Sequence, residues 1–173
     1  MALNGINVFI LVAAIAAVGR SRVSLVIGVL LAVPTVGFQL LSFQSSDASY
    51  LALSWAFGGA FYFAVIIYLL DYVFSREVMS ADKLYGAASA YLMVGVVWIY
   101  LYALAQYFFP GSFSTGSGVA PTLNAADLIY FSFTVLTTTG FGDFVPALPL
   151  ARSLVVLEQV TGTLFVAILI ARL

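Results

Sequence analysis

The residues with most to offer chemically stand in a single run: Thr138, Thr139, Gly140, Phe141, Gly142 and Asp143. The chain has no Cys and no His, so disulfide frameworks and the commonest metal and acid–base groups are absent. Little is left for an enzyme to work with. What this run offers is oxygen, from threonine hydroxyls, backbone carbonyls and one carboxylate. Gly140 and Gly142 allow the backbone to alternate left- and right-handed conformations without a Cβ penalty.

The elements that position this run follow from the flanking sequence. Asn124 is a good helix N-cap, and Asp127 supplies a carboxylate in the first turn. The residues from Ala125 to Thr137 predict a short helix that passes directly into the glycines. A short helix of this kind stops partway through a bilayer. Non-helical backbone at that depth is tolerated only where it lines a water-filled path or is buried in protein. A half-helix leading into a glycine-rich strand is therefore a pore-loop pattern on physical grounds.

Composition sets the surroundings. The chain of 173 residues is 64% hydrophobic and 8% charged, with a mean hydropathy of +1.14. Soluble domains carry about 25% charged residues, so a membrane protein is the class that fits. A formal net charge of -1 gives no basic face for nucleic acid. Apolar runs at Val23–Phe43, Tyr50–Phe74, Leu84–Phe109 and Leu148–Leu173 read as spanning helices, the first of them interrupted by Pro34. An earlier run, Asn7–Val18, spans only if Ala2–Ile6 is included. Its basic residues follow the apolar core rather than precede it, which argues for a short helix over a signal peptide.

The run Tyr130-Phe131-Ser132-Phe133-Thr134-Val135-Leu136-Thr137-Thr138-Thr139-Gly140-Phe141-Gly142-Asp143 resembles the pore helix and selectivity filter of the potassium channel superfamily. It is most similar to small bacterial channels that share the pore loop of two-transmembrane and two-pore-domain channels. The segment from Leu150-Ala151-Arg152-Ser153-Leu154 to Ala167-Ile168-Leu169-Ile170-Ala171-Arg172-Leu173 resembles their inner helix. The resemblance covers residues 82–173, about half the chain.

The resemblance implies an all-α transmembrane helix bundle with a re-entrant pore helix, assembled as a homotetramer in the lipid bilayer. Residues 1–75 supply transmembrane helices without voltage-sensor charges. Residues 82–173 form the pore domain, with outer helix 84–109, pore helix 125–137, filter 138–143 and inner helix 148–173. K⁺ ions would occupy rings of oxygens from Thr138, Thr139, Gly140 and Phe141, replacing the ion's water shell, with Gly142 completing the filter. Asp143 marks the outer mouth. No organic cofactor is implied.

Three positions depart from the commonest filter pattern. Thr139 stands where Val or Ile is usual, so its hydroxyl needs a partner behind the filter. Phe141 stands where Tyr is usual, which removes a hydroxyl strut. Thr134 stands where some channels place a Glu that pairs with the residue corresponding to Asp143. These changes bear on filter support more than on the choice of ion.

In the last helix, Gly162 falls where the family places a hinge glycine, and it equally permits close helix packing. Gln159, Thr163, Val166 and Ile170 share one face at helical spacing and would line the cavity. Glu158 is rotated off that face, toward the pore helix. An ionisable residue inside a membrane segment is a functional candidate by default. The simpler expectation is a hydrogen-bonded carboxyl that, like Thr134, supports the filter from behind.

A pore loop dipping from outside puts Arg172 in the cytoplasm, together with Arg76, Lys83, Arg20 and Arg22. This agrees with the positive-inside rule, for an integral multi-pass protein of the bacterial inner membrane. Five crossings result if the first run spans, and an odd number suggests a missing preceding helix or a first run that does not span. The Tyr50–Phe74 run has no Arg or Lys, which argues against voltage sensing. The sequence stops at the inner helix, so a cytoplasmic sensing domain is not expected. Two alternatives are a poorly selective monovalent cation channel and a non-conducting membrane scaffold that keeps the pore fold. A transporter with pore loops is the weaker option.

Overall fold

The computed structural model describes residue 11 and residues 22–45, 47–75, 81–115, 118 and 122–172. Its helices are α1 (Arg22–Gln44), α2 (Ala48–Val73), α3 (Ala81–Phe108), α4 (Ala125–Leu136) and α5 (Pro149–Arg172). Two strands, β1 (Phe113–Thr115) and β2 (Phe144–Pro146), flank α4. Among the described residues, α1, α2, α3 and α5 are long and apolar enough to cross a membrane. The fold is an all-α membrane bundle with one small strand pair.

The expected first run, Asn7–Val18, lies outside the described residues except for Leu11. Leu11 is helical and buried against Ala32, Phe61, Tyr62, Val65 and Tyr100. Helix α1 continues through Pro34. Asp47 caps α2, its carboxylate accepting from the Ser49 N–H at 2.9 Å, and that bond holds its pKa below the ordinary value.

Helix α3 is the central element. On one side it packs against α2, where Gly58 gives the Tyr100 ring room. A Cβ on Gly58 would stand 2.8 Å from that ring. Tyr100 then stacks on Tyr62 with centroids 5.7 Å apart. On its other side, Trp98, Tyr102 and Ala103 join Phe113, Leu128, Phe131, Val135, Ala151 and Val155 in the main core. Lys83, in the first turn of α3, is buried with its Nζ donating to the Ser75 hydroxyl at 2.7 Å. The buried Nζ is thus held just past the C-terminal end of α2, by the Ser75 hydroxyl and carbonyl.

The strands pair antiparallel, with Phe113 opposite Pro146 and Thr115 opposite Phe144. The Ser112 carbonyl also accepts from the Ala147 N–H at 2.8 Å. Both ends of the re-entrant segment are therefore joined where it leaves α3 and enters α5.

Candidate functional site: the re-entrant segment

Helix α4 starts with a full capping box. Asn124 Oδ1 accepts from the Ala126 and Asp127 N–H groups at 2.8 and 3.1 Å, and Asp127 Oδ2 accepts from the Asn124 N–H at 3.0 Å. Gln106 of α3 clamps the approach, donating to the Leu123 carbonyl and accepting from the Leu123 N–H. With 12 residues α4 is about 18 Å long at 1.5 Å per residue, well short of the bilayer core of about 30 Å. It buries Leu128, Phe131, Ser132, Val135 and Leu136 against the neighbouring helices.

Past the cap at Thr137 the chain turns out of the helix. The N–H groups of Thr139 and Gly140 both donate to the Thr134 carbonyl, at 2.9 and 3.2 Å. In a trans peptide the carbonyl points opposite to the N–H of the same unit. The carbonyls of Thr138 and Thr139 are accordingly directed away from α4. Two successive carbonyls on one side require alternating handedness, and the dihedrals supply it. Thr138, Gly140 and Gly142 have φ of 57°, 53° and 79°. A Cβ at Gly140 or Gly142 would meet nothing within 4 Å, so backbone conformation rather than space calls for glycine there. Thr138 adopts the same region with a β-branched side chain, at a cost of about 1–2 kcal/mol.

The hydroxyls behind this segment form a chain. Thr137 Oγ1 donates to the Phe133 carbonyl at 2.7 Å and lies 2.8 Å from Thr139 Oγ1. Since the Thr137 proton is already used, Thr139 is the donor between them. Thr134 contributes its carbonyl to the segment, while its hydroxyl turns back to the Phe131 carbonyl at 2.8 Å.

Phe141 is exposed and stacks on Tyr130 with centroids 6.3 Å apart and planes 6° from parallel. The Tyr130 hydroxyl hydrogen-bonds the Asp143 carboxylate, and that bond raises the phenol pKa above its ordinary value. Asp143 also accepts from the Phe144 N–H at 3.0 Å. Tyr130 was absent from the expected site residues. Its position in the pore-helix run, one residue before the buried Phe131, was the available signal, but an aromatic there reads equally well as packing.

Helix α5 turns a stripe of Ala151, Val155, Glu158 and Gly162 inward. A Cβ on Gly162 would run into the Leu136 carbonyl oxygen, so α5 meets the end of α4 backbone to backbone. Glu158 is fully buried and contacts Tyr102 of α3 and Ser132 of α4. Thr163, Val166 and Ile170 are exposed on another face, with Gln159 half-buried beside them. At its far end, the Arg172 guanidinium donates to the Phe74 and Ser75 carbonyls at 3.0 and 2.7 Å, and stacks 5.0 Å from the Phe74 ring centroid.

A profile of the ion channel family matches residues 87–173, which hold most of α3 together with β1, α4, β2 and α5. Two pore potassium channel c of Oryza sativa subsp. japonica is 38% identical over 82 residues, 47% of this chain. The chain spans 16% of the length of that relative. No solved structure matches. The profile describes channels rather than enzymes, and the matched half carries the short helix and the alternating glycines. The chain therefore belongs to the ion channel family, within the potassium channel superfamily.

Proposed function

We propose that the chain is one subunit of a K⁺-selective channel, with four copies closing a ring around the segment 138–143. The observation that carries this reading is the Thr134 carbonyl, which gathers two successive N–H groups and so turns the Thr138 and Thr139 carbonyls away from α4. A dehydrated K⁺ needs rings of such oxygens. Thr138, Thr139, Gly140 and Phe141 are the proposed K⁺ ligands, Gly142 completes the filter, and Asp143 sets a negative potential at the outer mouth. Gln159, Thr163, Val166 and Ile170 line the cavity below. Gly162 is the proposed pivot of the inner helix, with Thr134 and Glu158 supporting the filter.

The tetramer accounts for the large apolar face that α5 leaves uncovered in a single chain, including Val156, Leu157, Val160 and Leu164. The proposed orientation places Arg172 and Lys83 on the cytoplasmic side, where they meet at Ser75. Arg152, whose Nε reaches the Pro146 carbonyl at 3.3 Å, then lies on the outer side near the filter. The inner membrane of a bacterium is the proposed location.

Liposome flux under opposed K⁺ and Na⁺ gradients tests the reading. K⁺ flux without Na⁺ flux is the expected outcome, and comparable fluxes would replace it with a poorly selective cation pore. Gly142→Ala is expected to bring K⁺ flux to background while the oligomer survives gel filtration. Unchanged flux in that variant removes the filter from this segment.

A further inference from the structure

Glu158 stands where α3, α4 and α5 meet, and its contacts permit a count of protons. The Tyr102 hydroxyl of α3 bonds to Oε2. Ser132 Oγ of α4 lies 2.6 Å from Oε1. The same Ser132 Oγ lies 2.9 Å from the Gly95 carbonyl oxygen of α3. Each of these short oxygen–oxygen contacts needs one proton between its two atoms.

The hydroxyls of Tyr102 and Ser132 bring one proton each, and the Gly95 carbonyl brings none. Two protons cannot fill three contacts. The set closes if the third sits on the carboxyl. Tyr102 then donates to Oε2, the carboxyl O–H at Oε1 donates to Ser132 Oγ, and Ser132 donates to the Gly95 carbonyl. With an ionised carboxylate, Ser132 has one proton for two acceptors, and one pair of lone-pair-bearing oxygens faces itself in a buried site.

No cation among the described residues acts on the Glu158 carboxyl. Among the described residues, the titratable groups facing Glu158 are Tyr91 and Tyr102 of α3, and α4 presents the Ser132 hydroxyl. Lys83, Arg152 and Arg172 reach carbonyls elsewhere. The site also lies one helical turn from Gly162, where α5 meets the Leu136 carbonyl. Its bonds therefore act one turn from the backbone contact between α4 and α5.

We propose that Glu158 is held as the neutral acid and serves as a positioning residue, a proton-dependent latch tying the pore helix to the outer and inner helices. Losing the proton breaks either the Ser132–Glu158 or the Ser132–Gly95 link and frees α4 on that side. The effect on conduction rests on the filter reading above, whereas the protonation state does not.

Infrared spectroscopy of the protein in lipid tests the proton directly. At neutral pH the wild type minus Glu158→Gln difference is expected to contain the carbonyl stretch of a protonated carboxylic acid. A difference containing carboxylate bands alone overturns the proposal. Ser132→Ala removes the acceptor of that proton and should shift the same band, which decides the matter even if Glu158→Gln does not assemble. An unshifted band also overturns it.

Flux against pH is the second arm. Well above the pH at which half of the acid is ionised, the neutral fraction falls about tenfold per pH unit, and wild-type K⁺ flux should fall with it. Glu158→Gln, whose carboxamide both donates and accepts, should flatten that profile. A profile as steep in the variant as in the wild type overturns the latch. Protein that is silent in flux but shows the acid band upholds the protonated Glu158, and the failure then belongs to the conduction reading.

Discussion

Two kinds of glycine act at this site, and their substitutions should fail differently. Gly142 has open space where a Cβ would go but a φ of 79°, so Gly142→Ala strains one residue and leaves the helices in place. Gly162 has helical backbone and no space, so Gly162→Ala must push α5 off the Leu136 carbonyl. That overpacking should cost about 1–3 kcal/mol, read as a lower melting temperature in detergent. Tyr130 offers a pH readout. Its folded-state pKa is raised by the bond to Asp143, so that bond is intact below the ordinary tyrosine range and is lost as pH climbs through the raised value. Asp143→Asn should bring Tyr130 ionisation back toward ordinary tyrosine in an ultraviolet difference titration against Tyr130→Phe. Gly140, Gly142 and Asp143 were legible as residue types in sequence. The left-handed Thr138 was not, because nothing local favours that conformation for a threonine. The Tyr130–Asp143 bond joins residues whose contact only the turn after α4 creates.

At the scale of elements, hydropathy and caps carried most of the information. The expected outer helix 84–109 corresponds to α3 over Ala81–Phe108, which extends back to include Asp82 and Lys83. A charged pair reads as loop in sequence, yet the Lys83 Nζ reaches Ser75 and lets the helix start earlier. Asn124 and Asp127 announced the start of α4, since a capping box is a local signal. The strands β1 and β2 left no trace in the sequence, for each is three residues long and their pairing is non-local. The end of α5 was legible as a basic terminus but not as a contact. Arg172 there holds two carbonyls just past α2. Arg172→Gln removes the charge-assisted bonds and the ring contact and should release the tip of the inner helix. The expected result is higher K⁺ flux with an unaltered oligomer, and equal flux would make the contact incidental to gating.

Over the whole molecule, the front helices approach the pore half mainly through α3. Helix α1 carries Arg22 as its one charged residue and α2 carries Asp71, so neither has the repeated arginines that would move in a field. Steady current should consequently follow the K⁺ driving force without voltage-dependent activation, measured on reconstituted channels stepped over both polarities.

The pairing of β1 with β2 has a practical corollary. It gathers the two ends of the segment between α3 and α5 at one point, so that segment is closed at its base. A loop from another channel, spliced between Ser112 and Ala147, would inherit this frame. The graft would have to bring a hydroxyl at position 132 for Glu158 and a helix end at position 136 whose carbonyl meets both Gly162 and the Tyr91 hydroxyl. Those two requirements, more than the filter residues themselves, define which foreign pores this scaffold will accept.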